Sequence, residues 1–119
     1  MNIIGIVVHG RKEGRKIGFP TANINTIQDL NFLRNGVYAT KIKVGDIWYK
    51  SATSYGTAPA YGFNKIVLES HILDFDQDIY DQIVELKIVT FLRDTQNYPS
   101  LDLLIQQIHI DCNNCRIIL

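Results

Sequence analysis

Five stretches of this chain are dense in β-branched and aromatic residues: IIGIVV at 3–8, GVYATKIKV at 36–44, DIWYKSATS at 46–54, KIVLESHIL at 65–73 and QIVELKIVTFL at 82–92. Gly, Asn or Asp bounds each one, as expected of strands. From residue 36 onward they follow one another too closely for the dozen or more residues that a parallel crossover needs, so the sheet must be antiparallel. Closing it into a barrel is the economical way to remove its edges. Val44-Gly45-Asp46-Ile47 fits a tight hairpin turn, because Gly at a central position takes positive φ without a Cβ clash. One helix is expected near the C-terminus. Pro99-Ser100 offers a stop and an N-cap, Asp102 suits the positive end of the helix dipole, and Leu101, Leu104, Ile105, Ile108 and Cys112 recur at helical spacing, so that stripe should lie against the barrel. Residues 24–35 have no clean period and read as a loop or a short helical turn.

The 119 residues suffice for a single domain, 1–119, burying roughly two-thirds of its unfolded surface. No apolar run approaches the roughly 20 residues that cross a bilayer, so no membrane partner is expected. The run after Met1 lacks a basic leader and a small-residue cleavage site, which favours a strand over a signal peptide and a cytoplasmic location. Twelve Lys and Arg balance twelve Asp and Glu, which argues against nucleic acid as a partner. The charge is uneven locally: RKEGRK at 11–16 is cationic, whereas 69–85 holds Glu69, Asp74, Asp76, Asp78, Asp81 and Glu85 with no Lys or Arg.

Several motifs begin and then fail. Gly5 to Lys12 imitates the start of a phosphate-binding P-loop but ends in Arg-Lys, without the hydroxyl that would hold Mg²⁺. Asp74, Asp76, Asp78 and Glu85 occupy places 1, 3, 5 and 12 of a calcium loop, yet Ile79 stands where Gly must turn, so the segment reads as an acidic hairpin connection. Cys112-Asn-Asn-Cys115 lacks the second pair that zinc requires, and two reduced thiols are expected. His9, His71 and His109 lie far apart with no nucleophile pattern beside them, which favours structural roles.

GRKIGFPTAN, residues 14–23, carries more chemistry. Gly lets backbone approach a ligand closely, and Arg11, Lys12, Arg15 and Lys16 make the preceding loop an anion cradle for which phosphate is the natural guest. Pro20 biases Phe19 toward an extended conformation, so Thr21 and Asn23, alternate residues of a β-like segment, point the same way. Two neutral oxygens side by side suit Mg²⁺ that already carries phosphate oxygens. A basic glycine-rich surface turn is the plain alternative.

The order VVHGRKEGRKIGFPTANI, NGVYAT, SYGTAPAY, LESHILDFDQDIY and FLRDTQNYPSLDLLIQQIHID resembles the riboflavin kinase family over nearly the whole chain, in its stand-alone form or as the kinase half of bacterial bifunctional FAD synthetases. The resemblance implies a mainly β fold, a six-stranded antiparallel Greek-key barrel with a C-terminal α-helix. It also implies transfer of the γ-phosphoryl group of ATP to the 5′-hydroxyl of riboflavin, giving FMN and ADP. Gly10 and Arg15 would belong to a flap over the nucleotide. Thr21 and Asn23 would hold Mg²⁺ and the nucleotide phosphates, and Glu69 matches the catalytic carboxylate. Ile72, Asp74 and Tyr80 fall where the family lines its adenine pocket, and Arg93, Gln96 and Tyr98 fall at the flavin. Riboflavin and ATP would be the partners of a monomer.

The residues themselves support Glu69. In KIVLESHIL, Ile66, Leu68 and Ile72 make one face apolar and Val67 and Leu73 the other, so Glu69 is expected on a largely buried strand. Burial of a carboxylate raises its pKa, as suits a group that takes a proton from an alcohol. A strand-end Glu facing solvent is the alternative. Three positions depart from the family pattern: Asp81 replaces a usual Gly, Gln96 a common Lys and Ala60 a frequent Thr. Asp81 adds negative charge near the expected nucleotide end. Residues 1–119 hold no counterpart of the adenylyltransferase domain of the bifunctional enzymes, so FAD synthesis is not expected of this chain unless it is an excised fragment of such an enzyme. Two rival functions follow. One is a flavin- or nucleotide-binding module of the same fold that does not turn over, which would have no need to keep Glu69. The other is a barrel that stacks single-stranded nucleic acid on Trp48, Tyr49, Tyr55 and Tyr61, although alternating strand aromatics more often form core or barrel wall.

Overall fold

A computed structural model describes residues 2–10, 18–58 and 63–119. Among these residues there are six strands: β1 (Asn2–Val8), β2 (Ala22–Asn25), β3 (Gly36–Val44), β4 (Ile47–Ala58), β5 (Phe63–Ile72) and β6 (Ile83–Arg93). Among the described residues one helix, α1 (Leu101–Ile118), follows β6. All pairings are antiparallel and the sheet closes in the order β1-β2-β5-β4-β3-β6. Closure gives every strand a neighbour on both sides, although the short β2 covers only Ile6–Val8 of β1 and Glu69–Ser70 of β5, and this shortens the exposed edges that a dense run of strands creates.

The β3–β4 hairpin turns where its sequence predicts, with Val44 opposite Ile47 and Gly45 at φ 60°. Alternation then sorts the side chains. Ile3, Val7, Ile42, Leu68, Val84 and Leu86 fill the barrel. A second cluster, Ala39, Leu73, Cys112 and Cys115 with Phe19, Leu92 and Ile108 packed against it, joins the outside of the barrel to α1. Ser100 caps the helix, its hydroxyl accepting from Leu103 N at 3.2 Å.

Inside the barrel lies a polar seam. Thr40, Ser51, Thr53 and Ser70 are fully buried on β3, β4 and β5. Their hydroxyls stand at 2.6 Å (Thr40–Ser51), 2.7 Å (Thr40–Thr53) and 2.6 Å (Thr53–Ser70), and Thr40 also donates to Ser51 O at 3.1 Å. Four protons thus serve four contacts. With the Thr40 proton on the carbonyl, Ser51 and Thr53 donate to Thr40 and Ser70 donates to Thr53, so the buried hydroxyls satisfy one another.

Four expectations need correction. Residues 24–35 are not wholly loop, since Ile24 and Asn25 complete β2, a strand too short for its period to show in sequence. The acidic stretch at 74–80 is not a hairpin connection: β5 and β6 are not neighbours, so it crosses one end of the barrel. Leu101 is 53% exposed, because the helical stripe reaches the barrel only further along, at Ile108, Cys112 and Cys115. Ile66 is 52% exposed as well, so only the later part of that face of β5, Leu68 and Ile72, reaches the core.

Candidate active site

The short strand β2 is wedged between two long-range partners. Asn23 pairs with Val8 on one side and with Glu69 on the other. Directly opposed residues of an antiparallel pair carry their side chains on the same face, with Cβ atoms about 4.5–5.5 Å apart. An amide and a carboxylate far apart in sequence therefore become next neighbours. Ala22 and Ser70, the adjoining pair, point the other way into the barrel, and this alternation sets Asn23 and Glu69 on its outer face.

Gly10 lies over Asn23. A Cβ at Gly10 would run into the Asn23 amide group, so the absent side chain is what allows Asn23 its place. Asn23 is buried, and burial also pushes the Glu69 carboxyl above the usual carboxylate range. Phe19, four residues before Asn23, meets the ring of His71 edge-on at 5.4 Å and that of His109 on α1 at 5.0 Å.

A cavity of about 500 Å³ opens at the adjoining end of the barrel, lined by Val7, Thr21, Ala22, Ile72, Ile79 and Tyr80 among others, with Asp76 and Asp78 also in its wall. Tyr80 stacks on His9, ring centroids 3.8 Å apart. Of the expected nucleotide residues, Thr21, Ile72 and Tyr80 meet here. Thr21, two residues before Asn23, lines the cavity, whereas Asn23 and Glu69 do not. Asp74 turns elsewhere. With φ 55°, its exposed carboxylate takes two bonds from Arg116 of α1, at 2.7 and 3.1 Å, and Arg116 holds it below the ordinary Asp value. Arg15 and Ala60 lie outside the described residues, as does Tyr61.

At the other end of β6, Arg93 donates to Asp111 through Nε at 2.9 Å and a second guanidinium nitrogen at 2.7 Å, and Gln107 adds a bond to the same carboxylate at 3.1 Å. Burial pulls the Arg93 guanidinium down, and the carboxylate more than reverses this, leaving it above its ordinary value. Arg93 also lies 5.9 Å from the centre of the Tyr98 ring, while Gln96 is exposed. Sequence reasoning missed Asp111 and Gln107, whose i, i+4 spacing on a helix was the available signal. It also missed the contact of Gly10 with Asn23, which no local pattern encodes.

The family model described as "Flavokinase: Riboflavin kinase" matches residues 1–119. The chain belongs to the riboflavin kinase family. It is 39% identical over 116 residues to a bifunctional riboflavin kinase/FMN adenylyltransferase of Haemophilus influenzae, covering 96% of this chain and 37% of that protein. It is 37% identical to an RNA-binding riboflavin kinase of Bacillus subtilis, covering 92% of this chain and 47% of that one. The crystal structure of riboflavin kinase from Trypanosoma brucei superposes with a TM-score of 0.73 at 26% identity, over 99% of this chain and 78% of that one. The chain thus spans less than half the length of these two bacterial relatives. The riboflavin kinase barrel with its C-terminal helix is the architecture found here.

Proposed function

We propose that the chain phosphorylates riboflavin, transferring the γ-phosphoryl group of ATP to the 5′-hydroxyl to give FMN and ADP. The observation that carries this is the pairing of Asn23 with Glu69 on one face beside Thr21, in a chain of this family. ATP would place its base in the cavity against Ile72 and Tyr80 and run its phosphates over Thr21 toward Asn23, beneath the flap to which Gly10 and Arg15 contribute. Asp74, tied to Arg116, would shape the connection from outside the cavity and not touch the base. Arg93, fixed by Asp111, would meet the flavin with Gln96 and Tyr98.

Thr21 and Asn23 would hold Mg²⁺. The donor chemistry fits, because neutral oxygens suit a hard cation that takes most of its ligands from phosphate and water. Among the described residues no group of three His, Cys, Asp or Glu could hold a metal alone, so the ion would arrive with the nucleotide. Bound there, it would neutralise phosphate charge. Glu69 would accept the 5′-hydroxyl proton as that oxygen bonds to the γ-phosphorus and the bond to ADP breaks, and its raised pKa strengthens it as a base.

The even charge supports small-molecule substrates without nucleic acid. A cytoplasmic monomer fits substrates of this kind, and none of the described helices is long and apolar enough to cross a membrane. Incubation with ATP, Mg²⁺ and riboflavin, followed by chromatography, should yield FMN. Quenching of flavin fluorescence with no product would instead assign a binding module.

A further inference from the structure

We propose that His71 is a positioning residue for the phosphate-binding segment: its ring Nδ1–H, donated to the Pro20 carbonyl, fixes the turn that delivers Thr21 to Asn23 and Glu69. The inference rests on the functional reading above and assigns a role to a residue that reading does not use. His71 Nδ1 lies 2.8 Å from Pro20 O. A carbonyl only accepts, so Nδ1 must carry the proton. Ala22 faces Ser70 in the β2–β5 register, which puts the preceding residue, Thr21, level with His71 just beyond the ladder. His71 is also two residues past Glu69, on the same face of β5.

The turn needs such a tie. Pro20 has no N–H to anchor it, and Gly18 at φ 89° sets no side chain against the fold. Among the described residues, the side-chain hydrogen bond that reaches residues 18–21 comes from His71. Phe19 supplies apolar packing, against the His71 and His109 rings and the cluster of Leu73, Cys112 and Cys115, but such contacts are not directional, whereas a bond to the Pro20 carbonyl defines the direction of the turn. The ring thus has two separable functions, packing Phe19 and donating to Pro20.

Two variants separate them. His71→Asn keeps a donor near the Nδ1 position and removes the ring, whereas His71→Phe keeps a ring and removes the donor. By calorimetric titration with MgADP, His71→Asn should bind within about 2-fold of wild type and His71→Phe about 3–10-fold more weakly, the size of one net hydrogen bond. FMN formation by His71→Phe should show the same rise in KM for MgATP with kcat nearly unchanged. Ring ¹⁵N spectra of the wild type should show the proton on Nδ1. A His71→Phe variant that binds MgADP like wild type, a His71→Asn variant as weak as His71→Phe, or a proton on Nε2 alone would overturn the assignment. A wild type that neither binds MgADP nor makes FMN would overturn the functional reading itself, and the positioning role with it.

Discussion

Glu69 carries the sharpest single-residue test. Removing its charge while keeping its shape, as Glu69→Gln, should leave riboflavin binding nearly intact and lower turnover on the order of 100-fold or more. Stability should move the opposite way. Because the folded carboxyl titrates above its unfolded value, the folded state holds the proton more tightly, so Glu69 costs the fold nothing below the unfolded value and destabilises it as pH rises through the raised one. Melting temperatures of Glu69→Gln and wild type should therefore coincide near pH 4 and separate in favour of the variant by pH 8. Gly10→Ala should retain the fold yet displace the Asn23 amide, weakening MgADP by about 10-fold in calorimetry. Asp81 explains one departure from the family pattern. Its φ of 68° is a conformation that glycine takes freely and that Asp tolerates better than most residues. Asp81→Gly should keep the melting temperature within a few degrees and lower the KM for MgATP by removing a negative charge.

At the scale of elements, α1 is fastened to the barrel by Cys112 and Cys115 inside and by Arg93–Asp111 at the border, where the side chains are 19% and 6% exposed. Deleting one member of a buried pair strands the other, so Asp111→Ala should cost about 3 kcal/mol by urea titration, the low end for such pairs because Arg93 keeps some solvent. The polar seam across β3, β4 and β5 behaves similarly. Thr53→Val interrupts the hydroxyl chain at its middle and should cost about 1–3 kcal/mol, since Ser70 and Thr40 lose a partner where water cannot replace it. Sequence exposed the long strands, the Gly45 hairpin and the capped helix, all of which announce themselves through local patterns. It concealed β2 as a distinct element and the crossing of the 74–80 segment, because both are decided by which strands become neighbours.

Across the whole molecule, closure of the barrel assembles the candidate site, since β1, β2 and β5 are adjacent in space while β2 and β5 lie more than 35 residues apart in the chain. Residue types suggested Thr21, Asn23 and Glu69 in advance. They did not reveal that strand alternation turns Asn23 and Glu69 to the outside while Thr21 stays at the cavity. They also did not reveal that Asp74 bonds to α1, because an acidic side chain gives no hint of which distant cation it will meet. The thiols report on the same global fold: burial pushes Cys115 up to about 11 and raises Cys112, so iodoacetamide at pH 7.5 should label both only at the rate of unfolding. The convergence of β2 and β5 on one chemical centre is tested most directly by a double-mutant cycle on kcat/KM for FMN formation, using Asn23→Ala, Glu69→Gln and the double variant. Direct cross-strand neighbours acting on one phosphoryl group should couple by about 1 kcal/mol or more, so that the double variant loses less than the product of the single losses; effects that multiply to within about 0.5 kcal/mol would contradict a shared centre.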